Sequence, residues 1–573
     1  MTAQRSGPPR LPARFAVPAA AAGGYLLDVA SPALSWWPAA FVGVALICAA
    51  VWQQRARAGI AYGLIAGAAF WMPHISWLTL YLGPVPWLGL CAVMIMWFAL
   101  FGMLAAAATR GLATASALSD ALGGAGRRTA LIAAQALTVA GLWVARESVQ
   151  SSWPYGGFAW GRLAHTQADG PLAQSVSWLG FSGLSGAIAL ACVLPVAAWF
   201  SLRGSRIGLR NGDGAIRIDG ALRPAPRRVL AVASAVSAAL LLVLAVVPAA
   251  GLERTGTLRI AAVQGNSQSG IFDDRDSGSV LRDHLDATEK LLDDLERTGE
   301  RVDVIVWPEN SGEFGFTDNP LAELRVARLA ERAGAPIVVG TVLPNDDGSY
   351  SNSVVVWGPK GATGERYDKR YPVPFAEYMP NRDFFHALAP DLVDLVQLEY
   401  APGRLPAAVD IGTGSAGVVR AGVAICFDIT FDDQAVSMID AGSQVILAPT
   451  NNADFGRTDE SAQQLAIARL RAVETGRGIV NISTVGTSAV IDPDGSDLAS
   501  IVPFTAGAMT AEVPLTTGRT PALRFGAAVA GAWVALGLGG LATGIAARAV
   551  ASRRARRSGG SVGLPEADQR EGE

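Results

Sequence analysis

Glu309, Lys369 and Cys426 together supply the side chains that thiol acyl transfer needs: a base to remove a proton, a cation to stabilise a developing oxyanion, and a nucleophile. Each stands at or just past the end of a strand-like run, in VDVIVWPEN, YDKRYPVPFAEYMP and AGVAICFDIT. Taken singly, each has an ordinary structural reading. Free cysteine is among the most buried residue types, a carboxylate after a strand is usually solvated, and a loop lysine is usually surface. Cys426 differs from Cys48, Cys91 and Cys192, which lie inside long apolar runs such as GVALICAAV and read as small hydrophobes. An ordinary thiol, with a pKa of about 8.5, is mostly protonated at neutral pH, so a nucleophilic Cys426 requires a nearby base.

The elements that must position these residues follow from the apolar pattern. The chain has 573 residues, 51% hydrophobic and 17% charged, with mean hydropathy +0.31, which is too apolar for an ordinary soluble protein of this size. The pattern predicts a membrane domain over residues 1–250, an α/β domain over 251–518, a last span within 519–550 and a basic, disordered tail over 551–573. Seven spans of roughly 20 residues are expected around Ala20, Val44, Ala66, Met94, Val139, Leu190 and Leu240, and an eighth from Phe525 to Ala547.

Arginines collect before the first span (Arg5, Arg10, Arg14) and after the second (Arg55, Arg57), the fourth (Arg110, Arg127, Arg128), the sixth (Arg203 to Arg228) and the eighth (Arg553 to Arg557). Since cytoplasmic loops hold the positive excess, this alternation predicts both termini inside and the α/β domain outside. The N-terminal run leads into further spans and reads as an uncleaved anchor. The α/β domain holds one cysteine, which excludes a disulfide within it.

Within that domain, LRIAAVQGNS and VDVIVWPEN read as buried strands, residues 280–300 and 320–333 as helices, and PIVVGTVL and SNSVVVWG as two further strands. AGVVRAGVAICFDIT is expected to supply a strand pair, SQVILAPTNN another strand, SAQQLAIARLRAVETGR a helix, and GIVNISTVGTSAVIDPDG a closing strand pair. Alternating strands and helices imply a sheet covered on both faces, with function gathered at the carboxyl ends of its strands.

WPE, a lysine followed by PVPFAEYMP, and a cysteine after an apolar strand resemble the nitrilase superfamily. With seven spans before such a domain and one after it, the chain resembles the apolipoprotein N-acyltransferases over nearly its whole length. The resemblance implies a four-layer αββα sandwich and a two-step reaction at the outer face of a bacterial cytoplasmic membrane. A phospholipid would donate the acyl chain, and the N-terminal diacylglyceryl-cysteine of an apolipoprotein would accept it. Glu309 would be the general base, Lys369 the oxyanion stabiliser and Cys426 the nucleophile. Glu377 would support the lysine, the backbone N–H of Phe427 would be a second oxyanion donor, and Asp428 matches an acidic position where Glu is more usual.

Lipid or substrate contacts are expected at Trp153 and Tyr155, at Phe314 and Phe316 in GEFGFTD, and at Phe384 and Phe385 in the long loop from Tyr371 to Val396. The loop aromatics have an alternative reading as cover for the domain's own core. Asp454 stands where the family often carries Trp, a change at the route by which substrate reaches the site. His74, His165, His284 and His386 lack metal-ligand spacing, so no metal is expected, and no cofactor. Without a phosphate-cradling glycine loop or a basic strip, nucleic acid is not an expected partner, and the enzyme is expected to be a monomer. A membrane-tethered amidase using the same triad, and a non-catalytic scaffold that keeps the fold, are the alternatives.

Overall fold

The computed structural model describes residues 9–118, 124–202, 208–211, 214–217, 227–267 and 278–559. Eight apolar helices fall where the sequence places them: α1 (Ala13–Ala30), α2 (Pro38–Val51), α3 (Ala56–His74), then, after a short α4 (Leu78–Leu82), α5 (Pro84–Leu118), α6 (Gly124–Gln150), α7 (Val176–Ser201) and α8 (Arg227–Val246), with the last after the α/β domain. Five of the eight, α5 to α8 and the last, are long and apolar enough to cross a bilayer by length and composition, whereas α2 is apolar but only 14 residues long. A small hairpin, β1 (Gly208–Asn211) and β2 (Gly214–Arg217), precedes α8. Much of the Arg-rich loop around it, and residues 560–573 of the expected disordered tail, lie outside the described residues.

Helix packing rests on small residues. A Cβ built on Gly63 of α3 would meet the Phe98 carbonyl of α5 at 2.3 Å, and one on Gly102 would meet the Gly59 carbonyl at 2.3 Å. Only hydrogen fits there, so the two backbones approach as closely as small-residue contacts in membranes allow.

The α/β domain follows as β3 (Glu253–Gln264), α9 (Ser279–Thr298), β4 (Val304–Val306), α10 (Pro320–Ala333), β5 (Ile337–Pro344), β6 (Tyr350–Gly358), β7 (Gly361–Asp368), α11 (Arg382–Leu388), α12 (Pro390–Val393), β8 (Ala408–Gly412) and β9 (Val418–Val423). It continues with α13 (Asp432–Asp440), β10 (Val445–Thr450), α14 (Glu460–Thr475), β11 (Ile479–Ser483), β12 (Ser488–Ile491), β13 (Asp497–Ile501) and β14 (Gly507–Thr517), and the chain ends on α15 (Pro521–Gly559). Local signals set these boundaries. Pro320 opens α10 behind an Asn319 side chain that accepts from the Ala322 N–H at 3.1 Å, and Gly334, at φ 63°, ends it in the left-handed conformation. The last helix outruns its expected end at Ala547, because the Arg- and Ala-rich sequence beyond favours helix.

Two six-stranded sheets, in the orders β14-β3-β4-β5-β6-β7 and β13-β12-β11-β10-β9-β8, form the domain. Strands β3, β4 and β5 run parallel, as do β9, β10 and β11. The period of two divides each inner strand between two layers. Ile260, Ala262, Val304 and Val306 face the core shared with the second sheet, while Ala261, Val263, Ile305 and Trp307 pack under α9 and α10. The second sheet carries α13 and α14, which gives a nitrilase-like α/β sandwich.

The segment AGVVRAGVAICFDIT forms one strand rather than a pair. β9 stops at Val423, a 3-10 turn runs from Cys426 to Thr430, and the antiparallel partner of β9 is β8, with five residues between the two strands. The strands not expected from sequence, β7, β8, β13 and β14, are short or carry polar residues that hide the alternation, as in GATGERYD.

Gly340 of β5 shows how closely the sheet supports the neighbouring loop. A Cβ there would lie 2.4 Å from the Pro308 carbonyl and 2.8 Å from Glu309 Cα. Gly340→Ala is expected to lower stability by about 1–3 kcal/mol by overpacking and to slow turnover roughly tenfold by displacing Glu309. Thermal unfolding and a single-turnover assay would check both effects.

Candidate active site

The carboxyl ends of the parallel strands in the two sheets converge, and each delivers one part of the site. Glu309 follows β4, Asn451 follows β10, Cys426 follows β9, and Lys369 lies directly after β7. The Lys369 ammonium sits 3.0 Å from Glu309 Oε1 and 2.9 Å from Glu377 Oε2, with all three side chains buried. Asn352 of β6 joins the two carboxylates by donating from Nδ2 to Glu309 Oε1 at 2.7 Å and to Glu377 Oε1 at 2.9 Å. The Asn451 backbone N–H donates to Glu309 Oε2 at 2.8 Å, and the Val373 N–H donates to Glu377 Oε2 at 2.7 Å. Glu309 is thereby held from three directions. Burial works against the Lys369 charge, but Glu309 and Glu377 outweigh it and hold the ammonium well above its ordinary pKa.

Cys426 opens the 3-10 turn at φ 51°, a left-handed conformation that costs a non-glycine residue about 1–3 kcal/mol. Asn310 (φ 58°) and Phe375 (φ 65°) share this strain beside Glu309 and Glu377. Asp428 holds the turn, accepting from the Ile425 N–H at 3.2 Å, from the Tyr371 N–H at 2.9 Å and from the Tyr367 hydroxyl at 2.7 Å. It fastens the Cys426 turn to the strand and loop that carry Lys369. Burial pushes the Asp428 carboxyl up to about 6 against the opposing pull of Lys369 and these donors. The Cys426 thiol is raised well above its ordinary value, first by burial and then by the Glu309 charge, with Lys369 and a Thr450 hydrogen bond pulling the other way. Burial and the Glu309 charge thus both favour the protonated thiol.

A second buried carboxyl, Glu460 at the start of α14, accepts from Asn452 Nδ2 at 2.7 Å. Burial pushes it up to about 8, the Asn452 bond opposes this, and the Glu309 charge adds to it. Because the folded value lies above the ordinary 4.5, the stability tied to this group is complete below that pH and is lost as the pH rises through about 8. Glu460→Gln is therefore expected to match the native protein at pH 5 and to exceed its Tm by at least about 2 °C at pH 8.5. Thermal scans at the two pH values would check this.

The site faces the apolar helices. Gln463 Oε1 accepts from the indoles of Trp77 at 3.2 Å and Trp160 at 2.7 Å. Phe455 packs against Trp77 and Tyr81, with ring centroids 5.1 and 5.7 Å apart. Phe158 stacks on Phe427, the residue after Cys426, at 6.1 Å. Asp454 sits in the same short turn as Phe455.

Among the aromatics expected at lipid, Phe316 is corrected by the structure: it is buried and edge-packed on Trp357 in the α/β core, because its 3-10 turn folds inward over β5 and β6. Phe314 is half-buried against Tyr350. Trp153 is exposed beside Trp97, and Tyr155 reaches across to Phe375, Phe385 and the Asn381 amide, which donates to its hydroxyl at 2.9 Å. The apolar side chains of the Tyr371–Val396 loop divide. Phe375 and Phe385 cover a small core of Met379, Val393 and Val396, whereas Phe384 and Leu388 are exposed. Asn352 and Gln463 escaped the sequence reading, and the one trace of Asn352 is the polar triplet Ser351-Asn352-Ser353, fully buried at the start of an apolar strand.

Residues 23–194 match the apolipoprotein N-acyltransferase N-terminal domain, and residues 259–521 match the carbon-nitrogen hydrolase family. An apolipoprotein N-acyltransferase of Mycolicibacterium smegmatis is 32% identical over 542 residues, covering 91% of this chain and 83% of that protein. Those of Geobacter metallireducens (28% identical, 89% of this chain and 92% of the relative) and Azotobacter vinelandii (29% identical, 94% and 95%) are also similar.

Proposed function

We propose the chemistry below from the premise that this chain belongs to the apolipoprotein N-acyltransferase family and is an acyltransferase that N-acylates lipoproteins. In the first step the Cys426 sulfur attacks the ester carbonyl of a phospholipid as Glu309 takes the thiol proton. Lys369 and the Phe427 N–H stabilise the tetrahedral oxyanion. Collapse of that intermediate breaks the ester C–O bond. The lysophospholipid oxygen takes the proton back from Glu309, and a thioester remains on Cys426.

In the second step the free α-amino group of a diacylglyceryl-cysteine attacks the thioester. Glu309 accepts the amine proton, the C–S bond breaks, and the proton passes to the departing thiolate. Glu377 and Asn352 keep Lys369 and Glu309 in place through both steps. A neutral resting thiol suits this scheme, because proton removal is coupled to attack and no free thiolate stands exposed to oxidants or other electrophiles.

The observation that carries this reading is the buried Glu309–Lys369–Glu377 cluster beside the Cys426 turn, on a face packed against apolar helices. The seam formed by Trp77, Phe158, Trp160, Phe427 and Phe455 would guide acyl chains from the bilayer, with Tyr155, Phe384 and Phe385 at the lid. The arginine distribution supports eight spans, both termini in the cytoplasm and the α/β domain outside, where both lipid substrates are anchored. A soluble hydrolase of small amides would have no need of this arrangement.

Purified protein incubated with phospholipid alone is expected to accumulate a hydroxylamine-labile acyl adduct on Cys426. Addition of a diacylated lipopeptide should discharge the adduct and add one acyl chain to the peptide. Mass spectra with neither adduct nor triacylated peptide would overturn the reading.

A further inference from the structure

Arg162 lies in the segment between α6 and α7, far in sequence from the α/β domain, yet its guanidinium is buried against that domain. Nη1 donates to both oxygens of Asp432, at 2.8 and 2.9 Å, and Nη2 donates to Ser182 Oγ of α7 at 2.8 Å. Asp432 opens α13, two residues after the turn that begins at Cys426. Arg471 of α14 donates to the same carboxylate at 2.7 Å and also to the Ile429 and Thr430 carbonyls, at 3.0 and 2.8 Å, which end that turn. Both guanidiniums stack over the ring of Phe181 in α7, at 5.2 and 4.2 Å.

The arginine side chains are 3% and 0% exposed, whereas Asp432 keeps 48% of its side chain in solvent. Exposed ion pairs contribute little, but here both cations are buried and each donates to further acceptors, Ser182 Oγ for Arg162 and the Ile429 and Thr430 carbonyls and Glu474 carboxylate for Arg471. The planar fork of Arg162 also fixes direction as well as distance, which a lysine would not. One carboxylate thus joins α7, the exit of the nucleophile turn and α14.

We propose that Arg162 is a positioning residue that sets the height of Cys426 relative to the membrane helices, so that ester carbonyls held at the depth of lipid headgroups meet the sulfur. The inference rests on the acyl-enzyme reading above. A bilayer substrate cannot adjust its own depth freely, whereas a small soluble ester diffuses to the sulfur wherever it stands. Loosening the clamp therefore separates the two kinds of donor.

Full-length native protein, Arg162→Gln and, as a second variant that removes only the solvent-facing partner's charge, Asp432→Asn would be placed in phosphatidylglycerol–phosphatidylethanolamine vesicles. The rate of Cys426 acylation would be measured with the vesicle lipid as donor and, separately, with p-nitrophenyl acetate. Both variants are expected to lose at least about tenfold with vesicle lipid while staying within about twofold of native with the soluble ester. Equal losses with both donors, which a merely structural role predicts, or no loss with either, would overturn the proposal. Native protein labelled by p-nitrophenyl acetate but not by vesicle lipid would instead overturn the acyl-enzyme reading itself.

Discussion

Cys426→Ala protein, mixed with phospholipid and diacylated lipopeptide, yields no triacylated peptide above the protein-free background, a loss of at least about 10^4-fold in rate. The size of this loss follows from the geometry. Glu309 and Lys369 are fixed by Asn352, Asn451 and Glu377 whether or not the sulfur is present, so the variant keeps the proposed oxyanion cation and base in place. What it lacks is the atom that, in the proposed mechanism, carries the acyl group from donor to acceptor. Activation of the amine by Glu309 cannot substitute, because direct attack of an amine on a phospholipid ester would require both lipids in the site together. The variant should also fold, since alanine adopts the turn and Asp428 still pins both sides of it. Intact thermal unfolding with absent product is the expected pair of readings, and product at more than about a thousandth of the native rate would remove Cys426 from the mechanism.

Lys369→Met should fail in two ways at once. The ammonium is the cation between two buried carboxylates, and its removal leaves Glu309 and Glu377 facing each other through Asn352 alone. Removing one partner of such a buried set costs about 3–5 kcal/mol. Loss of an oxyanion donor costs a further factor of about 10^2–10^3 in acylation rate. Thermal unfolding reads the first loss and the rate of Cys426 acylation reads the second. A variant as stable as the native protein would mean that packing of the lysine stem, which methionine largely keeps, rather than its charge, holds the site.

Glu309 and Cys426 were legible as candidates because each stands where an apolar strand run meets WPEN or CFD, whereas Lys369, which follows the polar β7, was legible through the run YDKRYPVPFAEYMP. The eight helices were legible for the same reason: an apolar run is a local signal. Asn352 was not, since an asparagine inside a strand has no motif and acquires meaning only when β6 lies beside β5 and presents it to Glu309. Nor was Arg162, because its partner lies 270 residues away and no local pattern links the two. Phe316 misled because an aromatic beside glycines reads the same in a lipid-facing arm and in a turn folded over a core. The edge strands β7 and β13 escaped because edges tolerate the polar residues that erase a period of two.

The pairing of Glu253 with Thr517 at the start of β3 and the end of β14 has an architectural consequence. The chain enters the sandwich at Glu253 and leaves it at Thr517, two points one strand spacing apart, about 5 Å. The sandwich is therefore a cassette: to the helical base it is a single long insertion whose ends nearly touch, replaceable in principle by a two- or three-residue turn. Such a module can be grafted, exchanged between relatives or excised without rerouting a single span, so any tuning to new lipids can be made in the cassette and its seam while the base is left alone.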